Sequence, residues 1–373
     1  RSFADADGDG TGDLPGATAR LGYLADLGVD AVWLSPFYRS PLADAGYDVS
    51  DYRDVDPRFG TMADVEALIA RATELGLKVV IDLVPNHTSS EHRWFQTALA
   101  AAPGSPERAR YLFRDGHGIH GELPPNNWRS GFGGPGWTRV TEADGRPGQW
   151  YLHLFDVTQP DLDWTNTEVA AEFESILRFW LDKGVAGFRV DVAHGLVKVP
   201  GLPDLAYTPA ELALLPTSAA PMWDQDGVHE IYAGWRRLLE GYADPERILC
   251  AEAWVSPPER MARYVRSTEM HQAFTFDFLG CAWDAARLRA VIDHDLASMG
   301  SVGAPCTWVL SNHDVLRHAS RLGLPSATTA PQLGGVKADD LQPDPVLGLR
   351  RARAATMLML ALPGAAYLYQ GEE

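Results

Sequence analysis

Short apolar runs rich in β-branched residues alternate along this chain with longer stretches whose apolar residues recur every three or four positions. The runs at 29–34, 78–84, 186–192, 248–253, 274–278, 308–311 and 365–369 predict strands. The stretches 15–27, 62–75, 169–183, 228–242, 257–265, 283–296 and 347–362 predict amphipathic helices. Strand and helix in turn imply a parallel sheet covered on both faces. The expected fold class is therefore α/β, a (β/α)8 TIM barrel whose first strand and last helix lie outside this sequence. Unpaired edges in such a barrel predict a poor independent folder.

Two stretches break the rhythm. Residues 88–163 are rich in Pro, Gly, Asn and Trp and too long for a loop, so they are expected to form an inserted subdomain after the third barrel strand. The barrel then occupies 1–87 and 164–373. Residues 195–227, with many prolines, read as a long rim loop after the fourth strand.

The polar residues that follow the apolar runs carry the candidate chemistry. Four strand ends bear Asp82 with Asn86 and His87, Arg189 with Asp191, Glu252 with Trp254, and Asn312 with His313 and Asp314. A barrel gathers the C-terminal ends of its strands at one mouth. Singly, each has an ordinary explanation: Asp82 as a strand-end cap, His87 as a hydrogen-bonded rim residue, Arg189 and Asp191 as a structural ion pair. Together, three carboxylates at one mouth fit glycosidic bond cleavage, which needs one to attack the anomeric carbon and one to protonate the leaving oxygen. Arg189, on the same strand face as Asp191, would hold that carboxylate ionised. Glu252, crowded by carboxylates and near Trp254, would be the member kept protonated.

Charge narrows the partners. A formal net charge of −18 disfavours nucleic acid and anionic lipid and suits a neutral sugar. No uncharged apolar run is long enough to span a bilayer, so no membrane contact is expected, and without a visible leader the expected compartment is cytoplasmic. Cys250, Cys281 and Cys306 are an odd, widely spaced set, read as free thiols. Only four of the 32 basic residues are lysines, a bias attributed to nucleotide composition. Nothing in the chain speaks to its oligomeric state.

These segments resemble the α-amylase superfamily of glycoside hydrolases, especially its α-glucosidase and oligo-1,6-glucosidase branch, over essentially the whole chain. The resemblance makes Asp191 the nucleophile, Glu252 the acid/base and Asp314 the third carboxylate, which grips the glucose hydroxyls. It assigns Asp44, Tyr47, Asp82, His87, Arg189 and His313 to sugar binding, with Tyr47 a stacking platform. It implies a C-terminal β-sandwich and a further arginine beyond Gln370-Gly-Glu-Glu373.

The opening run Asp5-Ala-Asp7-Gly-Asp9-Gly-Thr11-Gly-Asp13 offers alternate carboxylates in a glycine-rich turn, suited to a hard cation or simply a solvated acidic turn. An EF-hand would need Glu where Gly16 stands. The resemblance implies a structural Ca2+ or Mg2+ held by Asp5, Asp7, Asp9, Asp13 and the Thr11 carbonyl.

The expected substrate is a short oligosaccharide. The segments around Pro124-Pro-Asn-Asn-Trp128, Tyr151-Leu-His-Leu-Phe155 and Gln159-Pro-Asp-Leu-Asp163 are similar to the exo-acting branch, with Asp163 standing where Asn is common. Trp128 and Trp137 are either sugar platforms or the insert's own core. Val192 leans toward α-1,6 linkages, while the residues that follow it and those around His313 resemble maltose-acting enzymes, favouring α-1,4. The alternatives are a trehalose synthase-like transferase or isomerase and, from another class, a non-catalytic transporter-accessory protein.

Overall fold

The computed structural model describes residues 2–242, 245–325 and 335–373. It divides into two compact units, residues 1–252 and 253–373.

The first unit holds strands β1 (Ala31–Leu34), β2 (Tyr38–Arg39), β3 (Asp51–Val55), β4 (Lys78–Leu83), β5 (Phe113–Arg114), β6 (Trp137–Thr141), β7 (Pro147–Leu152), β8 (Gly187–Val190) and β9 (Ile248–Ala251). Strands β1, β4, β8 and β9 pair in that order, all parallel. Five of the six β4 residues are buried, as a strand covered on both faces requires. The helices between them begin at sequence-encoded caps. Thr61 and Asp64 form a reciprocal capping box for Met62–Glu74, and Asn166 caps Thr167–Asp182. Val65, Leu68, Ile69 and Ala72 on the first, and Val169, Phe173, Ile176, Leu177 and Trp180 on the second, make the buried stripes that the 3.6-residue spacing predicts.

Strands β5, β7 and β6 form a separate antiparallel sheet inside the 88–163 excursion. Its core contains Leu112, Trp128, Trp137, Leu152 and Leu154, joined by Leu202, Ala220 and Met222 from the loop after β8. Trp128 and Trp137 are each 2% exposed, which removes them as sugar platforms. Their indole N–H groups donate to Pro203 O and to Asn126 Oδ1, at 2.8 and 2.7 Å, satisfying the polar edge of each buried ring.

The second unit contains β10 (Gln272–Ala273), β11 (Thr307–Val309) and β12 (Ala365–Tyr367), with β11 and β12 parallel neighbours. One expected strand is corrected: 274–278 contributes a single bridge at Phe274 and then turns into the helix Phe276–Gly280. Its three alternating phenylalanines mimic strand periodicity, but Phe276, Phe278 and Leu279 are all buried in the helical turn. Five residues are too few for periodicity to separate the two states. Among the described residues the three cysteines are free thiols, and no helix is long and apolar enough to cross a membrane.

Candidate active site

Register decides which side chains share a face. Asp82 lies opposite Arg189, and Arg189 opposite Cys250. Residues two apart on a strand point the same way, so Asp82, Arg189, Asp191 and Glu252 belong to one face. Trp33, paired with Val80, joins them. A slip of one residue in any pairing would turn a member of this group away. The strand ends are stitched together by Asp191 N donating to Leu83 O (2.8 Å) and Glu252 N donating to Val190 O (2.9 Å).

Arg189 is the centre of the cluster. Its Nη1 donates to Asp82 Oδ1 at 3.1 Å, to Asp191 Oδ1 at 2.5 Å and to the Tyr47 hydroxyl at 3.4 Å. Nη2 lies 3.8 Å from Glu252 Oε2. The guanidinium also sits over the rings of Trp33 and Tyr47, at 5.2 and 5.5 Å. Burial opposes its charge, but Asp82, Tyr47, Asp191 and Glu252 together hold it protonated beyond the usual arginine range. Asp82 accepts from the Tyr47 hydroxyl (3.1 Å) and the Trp33 indole (3.2 Å). Burial raises its carboxyl to about 6, a rise that Arg189 and these donors oppose without cancelling.

The loop between β2 and β3 carries Asp44 and Tyr47. Leu42, Ala45 and Gly46 all have positive φ, and the Gly46 Cα leaves no spare room beside Pro36 O. The buried Asp48 carboxylate holds this turn by accepting from Ser40 Oγ, Ala43 N and Asp44 N at 2.9–3.0 Å. Gln159, from the end of the insert, donates to Asp44 Oδ2 at 2.9 Å and lies 3.1 Å from His87 Nε2. His87 is buried, and burial brings its imidazole down to about 4, so it works as a neutral hydrogen-bonding ring near neutrality. Beside it, Lys198 pairs with Asp161 (2.8 Å) and donates to Asn86 Oδ1 (2.9 Å).

The sequence assigns no site role to Trp33, Gln159, Asp161 or Lys198, although Gln159 and Asp161 lie in the segment similar to the exo-acting branch. Lys198 had a signal: it is one of four lysines among 32 basic residues, and it follows β8 closely. Trp33 had none, since an aromatic residue in an apolar run reads as core.

In the second unit, Asn312 Oδ1 accepts from Asp314 N and Val315 N, at 2.9 and 3.1 Å, fixing the turn after β11. His313 Nε2 lies 3.4 Å from Asp314 Oδ1, and Asp314 is exposed. Trp254, expected to crowd Glu252, is 39% exposed and stacks on Phe276 with ring centroids 4.1 Å apart.

In the opening loop, carboxylate oxygens of Asp5, Asp7 and Asp13 lie within 4.8 Å of one another. Asp13 also caps the helix Leu14–Leu27 through Gly16 N (2.6 Å). Asp5 accepts from Gly8 N and Gly10 N, bonds that hold its carboxyl below the usual range. Asp9 stands outside this group and accepts from Thr11 N at 2.7 Å. Three converging carboxylates of one sign, with the chain wrapped around them, fit a hard divalent cation.

The model of the alpha-amylase catalytic domain matches residues 1–373. Maltase 1 of Drosophila virilis is 37% identical over 398 residues, covering all of this chain and 56% of that protein. Oligo-1,6-glucosidase of Parageobacillus thermoglucosidasius is 37% identical over 390 residues, covering all of this chain and 63% of that protein. The crystal structure of an alpha-glucosyl transfer enzyme superposes with a TM-score of 0.84 at 36% identity, over all of this chain and 66% of that one. The chain thus spans less than two thirds of the length of the curated relatives named here. Its parallel strands and intervening helices are those of a TIM-barrel family. With carboxylates and an arginine at adjacent strand ends, and the family model matching from end to end, this chain belongs to the alpha-amylase catalytic-domain family.

Proposed function

We propose that the protein carrying this chain is a retaining, exo-acting α-glucosidase that hydrolyses α-1,4, and secondarily α-1,6, glucosidic bonds of short oligosaccharides. The observation that carries the reading is the single guanidinium of Arg189 spanning Asp82, Asp191 and Glu252 on one strand face.

In this reading Asp191, paired with Arg189, attacks the anomeric carbon as the bond to the leaving sugar breaks. The leaving oxygen takes its proton from Glu252. Water then attacks the same carbon, gives a proton to the Glu252 carboxylate and releases Asp191, with retention. Asp314 and His313 grip the glucose hydroxyls by their match to the family segment. Asp44, Tyr47, Asp82 and the neutral His87 complete the sugar site, with Gln159 tying Asp44 to His87. The barrel comprises 1–87 and 164–373 and the insert 88–163. A Ca2+ or Mg2+ held by Asp5, Asp7 and Asp13, with Asp9 and the Thr11 carbonyl as the remaining family positions, would neutralise the acidic loop and fix the start of the first helix. It supplies structure and takes no part in the reaction.

The test is glucose release from maltose and isomaltose by the full-length protein, beside Asp191→Ala. Release abolished in the variant supports the reading, and the faster disaccharide assigns the linkage. A folded wild-type protein that instead converts maltose to trehalose or longer sugars is a transferase or isomerase, like the structural relative above.

A further inference from the structure

Val192, directly after Asp191, has φ +46°. A β-branched side chain avoids this left-handed region, so something outside the local chain holds it there. Three features do. Ala193 N donates to Glu252 O at 2.8 Å, locking the next peptide onto the following strand end. Gly195 N donates to Val192 O at 2.9 Å, closing a tight turn. Gly195 also makes the room: a Cβ there would lie 2.7 Å from Val192 Cγ1 and 2.9 Å from the Trp223 ring. The outcome is that the Val192 N–H points at Glu252 and donates to Oε2 at 2.9 Å. Arg189 Nη2 faces the same oxygen from 3.8 Å.

We infer that the main-chain N–H of Val192 is a positioning group that selects which oxygen of Glu252 carries the transferable proton. This rests on the assignment of Glu252 as acid/base. Two positive partners on Oε2 concentrate negative charge there, and a proton on Oε2 would face the amide hydrogen head-on. The proton therefore sits on Oε1, and the carboxyl cannot swing to exchange its oxygens without losing the amide donor. In the first step Oε1–H goes to the leaving oxygen; in the second, Oε1 takes the proton of the attacking water. Val192 acts through its backbone and its strained dihedral, which side-chain comparison does not reveal.

The test separates substrates by their need for a proton. Maltose leaves as a poor alkoxide and needs the acid, whereas α-glucosyl fluoride leaves as fluoride and needs little help. In the full-length protein, residue 192 is replaced by the α-hydroxy analogue of valine, exchanging the N–H for an ester oxygen. Losing one hydrogen bond to the carboxylate that develops on Glu252 as its proton leaves predicts a roughly 10- to 100-fold fall in kcat on maltose, with KM and α-glucosyl fluoride hydrolysis little changed. Val192→Gly, which keeps the N–H and tolerates positive φ, keeps the wild-type ratio of maltose to α-glucosyl fluoride hydrolysis, whatever losing the side chain does to the rate itself. Gly195→Ala provides an independent route, displacing Val192 without changing either catalytic carboxylate, and predicts the same selective loss. An unchanged ratio between the two substrates in both the ester protein and Gly195→Ala overturns the inference. Glu252→Gln serves as the reference: if it too fails to distinguish the substrates, the acid/base assignment is wrong, and the fault lies with the proposed function.

Discussion

Asp295 lies in the helix Ala285–Gly300, is 3% exposed, and its Oδ2 has no hydrogen-bond partner among the described residues. It lines a cavity of about 180 Å³ with Asp277, Trp254, Phe276 and Met299. Burial, then repulsion by Asp277, raises its carboxyl from 3.8 to about 7, with His294 opposing. The folded protein thus keeps a proton that the unfolded chain releases near the ordinary carboxylate value. Where the folded state binds more protons, stability falls as pH rises. The penalty therefore begins near pH 4 and is complete above about pH 7. At about 1.4 kcal/mol per unit, three units make about 4 kcal/mol. Asp295→Asn removes the charge but leaves a buried amide, itself costing about 1–3 kcal/mol if unpaired. The amide term is independent of pH, so the informative quantity is a difference. Between about pH 5 and pH 8 the variant should gain roughly 2–3 kcal/mol relative to wild type. Urea unfolding of both proteins at both pH values measures it. An offset that is the same at both pH values would refute the reasoning, because it would mean that Asp295 loses its proton over the same pH range in the folded protein as in the unfolded chain.

Other predictions follow from the same structure. His87 and His92 are each brought down to about 4 by burial, so the unfolded chain takes up protons that the folded one refuses. Stability is then lost as pH falls from about 6.5 to 4, by up to about 3 kcal/mol per histidine; His92→Gln should flatten the urea midpoint over that window, and an unaltered slope counts against it. Arg189→Met strips the cation from three buried carboxylates and should cost about 3–5 kcal/mol in urea unfolding and abolish glucose release. Arg189→Lys should not restore the rate, since one ammonium cannot span the same partners; full activity in the lysine variant would contradict this. Added Ca2+ at a hundred times its Kd should stabilise the protein by about 2.7 kcal/mol in thermal unfolding, with the effect lost in Asp5→Asn/Asp7→Asn. Equal shifts in both proteins would show that the ion binds elsewhere. Trp128→Ala should destabilise by about 3–5 kcal/mol, read in urea, as befits a core residue.

Where periodicity is long and capped, the sequence was legible. Met62–Glu74 and Thr167–Asp182 declare their stripes and their caps, and β4 reads as a buried run closed by a carboxylate. The convergence of Asp82, Arg189, Asp191 and Glu252 follows from the two-residue repeat once the strands are parallel and in register. What escaped was conformation set by tertiary contact. The 274–278 segment has a strand's alternation and a helix's backbone, and its burial on more than one side decided the matter. Val192 looks like an ordinary strand residue, and its left-handed φ depends on Gly195 and Glu252, three and sixty positions away. Asp295 sits in a helix as an acidic residue directly after Asp293 and His294, which reads as a solvated face, so its burial depends on the packing of other elements. Trp128 and Trp137 could be placed only when the loop after β8 was seen to share their core.

That shared core has a consequence for how the molecule can be rebuilt. Leu202, Ala220 and Met222 fill the space against Trp128 and Trp137, Asn126 and Asn127 bind the backbone of Leu202 and Leu205, and Lys198 closes on Asp161. The excursion after β4 and the one after β8 are therefore a single inheritable unit held at two points of the chain. Transplanting residues 88–163 into another scaffold without 195–227 would expose Trp128 and Trp137 to water in the recipient and strand the buried Lys198 without its carboxylate in the chain left behind. A chimera that exchanges both excursions together keeps each contact intact, so the natural crossover points for shuffling this site lie outside the pair.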